Sequence, residues 1–398
     1  MHTSPLDQPG TGDAGGMNVY ILRSLEALLD LNPQLTVEVF TLAFSPEQAG
    51  RVDFHPRASL VSLFLPQAQG AKKEDLPALV SDFARALLAS AHRPPQLIHA
   101  HYWLSGQVAV EAYPLAPLVL TLHTSAAVKN LRLGPGESPE PQARFLAEQA
   151  LVAQSDLLVV NTAFEAEQMV SLYGAEPELL RVIPPGVDRS VFRPLEGVEP
   201  VNRDRAGALH LVFAGRLQPL KGPKVLIEAL GLLPSSLRVS LDIIGSSAQA
   251  YDQHLRLRAQ QLGIARRVRF LPPLAPGDLA QAFRQADLVA CPSSSETFGL
   301  VALEASASGA PVLATKVDGL QEAVLDGVTG LLLADRRAAT WASALKALAA
   351  DPQLRARLGR AGAQRAASLT WQATALNLLE QYRLLTVDGP DEGLEDSF

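Results

Sequence analysis

A chain of 398 residues is long for one hydrophobic core, so two domains of ordinary size are expected. With 47% hydrophobic and 19% charged residues it is globular, which excludes an intrinsically disordered chain. The net charge of −7 argues against a nucleic-acid binder, which would be basic. Cys291 is the single cysteine, so no internal disulfide can form, as suits a reducing, cytoplasmic setting. No apolar run reads as a membrane span, and no stretch reads as a signal peptide.

The opening stretch holds Gly10, Gly12, Gly15, Gly16 and Asn18, residues that tolerate unusual backbone angles or close approach of a ligand. Val19, Leu22, Leu25, Leu28 and Leu29 then recur at helical spacing, which predicts a helix from Val19 to about Leu29. A Gly-rich loop feeding a helix is a ligand cradle in α/β folds, although the composition alone also fits a disordered tail. Strands are expected over Leu35 to Phe44 and Ala58 to Leu65, then a helix over Leu79 to Leu88. Pro95 to Gly106 reads as a strand and a loop. His99 and His101 share a face of that strand, but a zinc site needs a third ligand and none stands nearby in sequence, so no metal is expected. Pro117 to Thr124 is a buried strand ending at His123. Ser155 to Thr162 and Arg181 to Asp188 add two more strands.

Pro184 to about Gly207 is Pro-rich with little periodicity and reads as a linker. Strand–helix alternation then restarts. Leu209 to Arg216 is a strand, Leu217 to Lys221 a loop, and Gly222 to Leu230 a helix with Pro223 at its first position. Arg216 and Lys221 thus flank a helix N-terminus, which suits a diphosphate, although two exposed bases beside a loop fit as well. Strands follow at Arg238 to Gly245, Val268 to Leu271 and Ala286 to Ala290. Ser293, Ser294, Ser295 and Thr297 offer capping hydroxyls before a helix expected from Phe298 to Gly309. Glu296 then falls in the loop before that helix, and Glu304 about two turns inside it. Carboxylates beside an anion site suit neutral hydroxyls of a sugar and a ribose; a surface helix would also allow them. A strand at Pro311 to Ala314, helices over Ala338 to Ala350, Pro352 to Ala367 and Trp371 to Leu385, and an acidic tail complete the chain.

The run Ser295-Glu-Thr-Phe-Gly-Leu300 with Glu304-Ala-Ser-Ala-Ser-Gly309 resembles the signature of family 4 of the retaining nucleotide-sugar glycosyltransferases, which have the GT-B fold. The resemblance implies an α/β fold of two Rossmann-like doubly wound domains facing across a cleft. Residues 1–186 plus 372–398 would form the acceptor domain, the final helix crossing back. Residues 187–371 would bind the donor. In that family the first Glu contacts the donor sugar and the second the ribose, and Gly215-Arg-Leu-x-x-x-Lys-Gly222 is the donor-phosphate site.

His2-Thr-Ser-Pro-Leu, Gly10 to Tyr20, Pro95 to Gly106, Ala126 to Asn130 and Pro139 to Arg144 are similar to the mycothiol-pathway subgroup, with a loop similar to the opening one in sucrose-phosphate synthases. That implies transfer of N-acetylglucosamine from UDP-N-acetylglucosamine to 1D-myo-inositol 3-phosphate, with retention. The implied catalytic residues are His123, Glu296, Arg216 and Lys221. The donor would also meet Gln8, Pro9, Gly16, Thr297, Phe298, Gly299, Leu300 and Glu304. The acceptor would meet His2, Asp13, Ala14, Gly15, Gly16, Met17, Asn18, Lys73, Tyr102, Thr124 and Arg144, with Lys72 in place of Lys73 if the register slips by one.

Two features depart from the subgroup. The strand that precedes its opening loop has no counterpart before His2, and Leu274 stands where relatives carry Arg. No Asp-x-Asp metal motif is evident, so no cofactor is expected beyond the UDP-sugar substrate. The expected partners are small molecules, without nucleic acid, and a homodimer is allowed. The same donor with another acceptor (malate, a sugar phosphate, a lipid or a polysaccharide) is the alternative. A dinucleotide oxidoreductase would need a Gly-x-Gly-x-x-Gly turn that is not evident. A non-catalytic nucleotide-binding protein is the remaining class.

Overall fold

The computed structural model describes residues 3–10, 14–133, 138–195, 208–247 and 251–387. The first half runs α1 (Gly16–Leu31), β1 (Val37–Ala43), β2 (Gly50–His55), β3 (Ala58–Phe64), α2 (Val80–Ser90), β4 (Ile98–His101), α3 (Trp103–Ala112), β5 (Leu118–Thr121), α4 (Ala126–Leu131), α5 (Gln142–Gln154), β6 (Leu157–Val160), α6 (Ala163–Tyr173) and β7 (Leu180–Val182). Every residue of β5 and β6 is buried, as expected of parallel strands covered on both faces. β2 has no counterpart in the sequence reading. Its first four residues are exposed, so it lacks the apolar run that marks a buried strand.

These strands form two sheets, β1-β3-β2 and β4-β5-β6-β7. β1 and β4 are each an edge of their own sheet and do not pair with one another. Thr41 Oγ1, near the end of β1, donates to Thr3 O at 3.0 Å, so the chain enters beside that edge.

The second half runs β8 (Ala208–Ala214), α7 (Pro223–Leu232), β9 (Arg238–Ile244), α8 (Tyr251–Gln261), β10 (Val268–Leu271), α9 (Pro276–Gln285), β11 (Leu288–Cys291), α10 (Leu300–Ala307), β12 (Val312–Thr315), α11 (Leu320–Ala323), β13 (Gly330–Leu333), α12 (Ala338–Ala350), α13 (Pro352–Ala366) and α14 (Trp371–Val387). Its sheet is parallel throughout, in the order β10-β9-β8-β11-β12-β13. Strand order reverses between β8 and β11. Ligands bind at such a switch point, outside the carboxyl ends of the strands. Leu211, Leu241 and Ile243 of the sheet pack with Ile227 and Leu230 of α7 and Trp341 of α12 in one core.

α14 crosses back to the first half. Trp371, Ala375, Leu378 and Leu379 pack on Tyr20, Ala27 and Leu28 of α1. Each large apolar side chain buried there contributes ~1.5–3 kcal/mol. Two chain crossings run side by side at this point, because Val187 N donates to Leu369 O at 2.9 Å. A Cβ on Gly186 would come within 2.1 Å of Trp371 N, so only glycine lets the crossings approach. Residues 196–207, the rest of the expected linker, lie outside the described set. Among the described residues no helix is long and apolar enough to cross a membrane.

Candidate active site

A cleft of about 750 Å³ opens between the two halves, with walls from both. Gln8, Pro9, Gly15, Gly16, Met17, Asn18, Lys73, Tyr102, His123 and Thr124 line it from the first half. Arg216, Lys221, Glu296, Thr297, Phe298, Gly299, Leu300 and Glu304 line it from the second. The sequence had assigned all of these residues to one site or the other. Ala14 is buried and does not line the cleft. His2 and Asp13 lie outside the described residues.

The second-half wall stands at the switch point. Lys221 closes a tight turn after β8, and Gly222 follows with φ 74°. A Cβ there would come within 2.2 Å of Pro292 O, so glycine lets this turn close against the loop after β11. That approach brings Lys221 Nζ to 2.5 Å from Glu296 Oε2. Ser293 Oγ donates to the same oxygen at 3.4 Å. Glu296 N donates to Asp318 Oδ2 at 3.3 Å, and Glu296 O accepts from Gly319 N at 2.9 Å. The carboxylate is thus aimed by contacts to both its backbone and its side chain.

α10 starts at Leu300, two residues later than predicted, because Gly299 adopts φ 98° and breaks the helical path. Glu304 therefore lies just over one turn inside the helix, not two. The expected hydroxyl cap is absent from α10. Ser294 N and Oγ both donate to Leu220 O, and Thr297 Oγ1 donates to His123 O across the cleft. Burial pushes the Glu304 carboxyl up to about 8, against a smaller opposing pull from Arg23 of α1.

On the opposite wall, Lys73 lines the cleft and Lys72 does not. Lys73 Nζ lies 5.5 Å from the centre of the Tyr102 ring and the Arg144 guanidinium 5.1 Å from it. Tyr102 holds φ 79°, a left-handed value costly for a non-glycine residue. Its N–H donates to Thr121 O at 2.8 Å, and it caps α3.

Two expected acceptor residues are placed differently. Arg144 does not line the cleft. It is buried one layer back, where Nε donates to Glu148 Oε1 at 2.7 Å and Nη1 pairs with Glu140 Oε2 at 2.8 Å. Its Nη2 donates to Thr124 O at 3.0 Å, so it braces Tyr102 and Thr124 from behind. Asn18 lines the cleft, but its amide is engaged within the opening loop. Nδ2 donates to Thr3 Oγ1 at 3.0 Å and to Ser4 O at 2.5 Å, and Oδ1 accepts from Gly15 N at 3.0 Å.

His123 follows β5 with φ 60°. Burial pushes its imidazole down to about 3, helped by His99, so the ring is neutral at ordinary pH. It does not stand alone. His101 Nδ1 lies 2.9 Å from His123 Nε2. The pair His99 and His101 gains a third imidazole from another strand end, which sequence spacing could not show. Among the described residues, no group of three or more His, Cys, Asp or Glu is arranged to hold a metal ion. Sequence reasoning also gave no role to Asp318, whose Oδ1 pairs with Arg132 Nη2 of the other half at 2.6 Å.

A doubly wound sheet with a basic clamp and two carboxylates at its switch point, facing a second α/β layer across a cleft, defines a GT-B glycosyltransferase. Residues 15–186 match the family described as "Glycosyl transferase 4-like domain" and residues 201–365 that of "Glycosyl transferases group 1". The chain is 44% identical to a D-inositol 3-phosphate glycosyltransferase of Rhodococcus opacus, covering 98% of this chain and 92% of that protein. It is 45% identical to one of Stackebrandtia nassauensis, covering 96% and 89%. The chain belongs to the glycosyltransferase family that includes these enzymes. Among solved structures, the sucrose-phosphate synthase of Thermosynechococcus elongatus is similar with a TM-score of 0.89 and 28% identity, covering 98% of each chain. Anabaena HepE in complex with UDP and glucose shares the fold, with a TM-score of 0.73 and 22% identity over 95% of this chain and 98% of that one.

Proposed function

We propose that this protein transfers N-acetylglucosamine from UDP-N-acetylglucosamine to 1D-myo-inositol 3-phosphate with retention at the anomeric carbon. The observation that carries the reading is the pairing of Lys221 with Glu296 at the switch point, beside Arg216 and across the cleft from Lys73, Tyr102 and Thr124. The curated relatives named for D-inositol 3-phosphate support the acceptor, and the UDP complex of the Anabaena protein supports the donor class. Residues 187–371 would hold the donor. Residues 1–186 with 372–398 would hold the acceptor.

UDP leaves as an anion, so fixed cations are most useful where that charge develops. Arg216 and Lys221 take that role at the diphosphate, with the start of α10 beside them. Lys221 exchanges its Glu296 contact for phosphate oxygens, which frees the carboxylate to orient the donor sugar. Glu304 receives the ribose hydroxyls. His123, being neutral, serves as a hydrogen-bond partner to the sugar and not as an acid near pH 7. The sugar becomes oxocarbenium-like as the bond to UDP breaks. The acceptor hydroxyl attacks from the face that the diphosphate leaves, and the leaving phosphate takes its proton. Lys73, Tyr102 and Thr124 meet the acceptor phosphate, with Arg144 bracing Tyr102 and Thr124 from behind.

The test is product analysis. Purified protein, UDP-N-acetylglucosamine and inositol 3-phosphate should give one product of the summed mass less UDP, with an α-anomeric proton by NMR. A β-anomer would reject retention. Equal turnover with malate would reject the acceptor. Turnover should survive EDTA; its abolition and restoration by magnesium would reveal a catalytic metal.

A further inference from the structure

The cleft wall behind His123 is a column of rings, with His123 and Tyr20 buried and His99, His101 and Tyr382 half-buried. His99 and His101 alternate on β4, and His101 is in register with Thr121 of β5. His123 lies two residues beyond Thr121 and continues the same face. The ring centres of His99 and His101 are 4.1 Å apart, and those of His101 and His123 are 5.1 Å apart, each pair inclined by 30°. Tyr20 of α1 meets His101 and His123 edge-on, at 5.9 Å and 5.2 Å. At the far end, Tyr382 of α14 lies with its hydroxyl 2.5 Å from His99 Nδ1, and His99 Nε2 lies 2.9 Å from Thr121 Oγ1. The column therefore reaches from the cleft to the helix that crosses back.

We propose that His101 is a positioning residue: by engaging His123 Nε2 through its Nδ1, it leaves His123 only Nδ1 to offer a substrate, and in a single tautomer. This rests on the reading that His123 meets the donor sugar. The argument is one of hydrogen count. A neutral imidazole carries one N–H and one bare nitrogen. Two neutral rings joined nitrogen to nitrogen at 2.9 Å need one proton between them. Whichever ring supplies it, the two tautomers are coupled: a His101 Nδ1–H puts the His123 proton on Nδ1, and a bare His101 Nδ1 puts it on Nε2, so the state of His101 sets what His123 turns to the cleft. Burial lowers the proton affinity of all three imidazoles, which keeps the column neutral. The left-handed backbone of His123 is pinned from the other wall by Thr297, so ring and backbone are set by different halves of the molecule.

The test uses the full chain with ¹⁵N-histidine, His123 being assigned by the signal lost in His123→Phe. In the parent, His123 should show one protonated and one bare nitrogen. His101→Phe keeps the ring stack and removes the nitrogen. It should average the two His123 signals and lower kcat about tenfold, as loss of one buried hydrogen bond does, while UDP affinity is kept. His101→Asn places a polar atom near the Nδ1 position and should restore a single tautomer and most of kcat. Unchanged His123 signals in His101→Phe would overturn the proposal, and so would an averaged spectrum with kcat intact. If His123→Phe turns over as well as the parent, it is the reading of His123 at the sugar that fails, not the tautomer lock.

Discussion

Lys221 and Glu296 form the contact on which the proposed donor site turns. At 2.5 Å they neutralise each other, and a diphosphate must draw the ammonium away. One charged hydrogen bond to phosphate is worth ~1.5–3 kcal/mol, so Lys221→Ala and Arg216→Ala should each weaken UDP binding roughly tenfold to over a hundredfold. Calorimetry that finds both variants unchanged would misplace the donor site. Glu304 adds a proton linkage. With its carboxyl pushed up to about 8 it is mainly protonated at pH 7, and ribose hydroxyls that donate to it favour the charged form. UDP binding should therefore release a proton, and affinity should rise as pH climbs toward 8. The heat measured at pH 7 should then vary with the ionisation heat of the buffer in the parent and not in Glu304→Gln. Buffer-independent heat in the parent would contradict the role. The same shift sets a sign for stability. The unfolded chain ionises this carboxyl first, so the protein loses stability as pH rises from the ordinary carboxyl range through about 8. That Glu296, Glu304, Arg216 and Lys221 share one cleft was legible because each sits in a short local motif. Asp318 and Arg132 were not, since their pairing joins residues from opposite halves that no local pattern relates.

Among the elements, buried strands were read best. β5, β6, β11 and β12 are short apolar runs and lie where the sequence put them, within a few residues. β2 was missed because it is an exposed edge, and α10 was started early because Gly299 overrides the helical pattern on either side of it. The crossing of α14 depends on a contact the sequence leaves invisible, the approach of Gly186 to the backbone of Trp371. Gly186→Ala should separate the two crossings and cost ~1–3 kcal/mol, lowering Tm by several degrees. Gly277→Ala is the control, because a Cβ there meets nothing within 4 Å. Equal melting of the two variants would show that the crossing tolerates a wider gap.

At the scale of the whole molecule, the two-layer plan followed from strand–helix alternation, but the closeness of the two walls did not. Thr297 bonds His123, Arg132 pairs with Asp318, and Phe164 N donates to Glu322 Oε1 at 3.1 Å, each contact reaching from one half to the other. Groups from both halves thus face one cleft, and the proposed donor site rests on motifs more specific than those of the proposed acceptor site. The acceptor claim is tested most directly by the ratio of kcat/KM for inositol 3-phosphate to that for unphosphorylated inositol, with UDP-N-acetylglucosamine as donor. Leaving Lys73 and its neighbours without a phosphate costs ~1–3 kcal/mol or more, so the ratio should exceed about ten in the parent and collapse toward one in Lys73→Ala. A ratio near one in the parent would contradict a phosphorylated acceptor at this site.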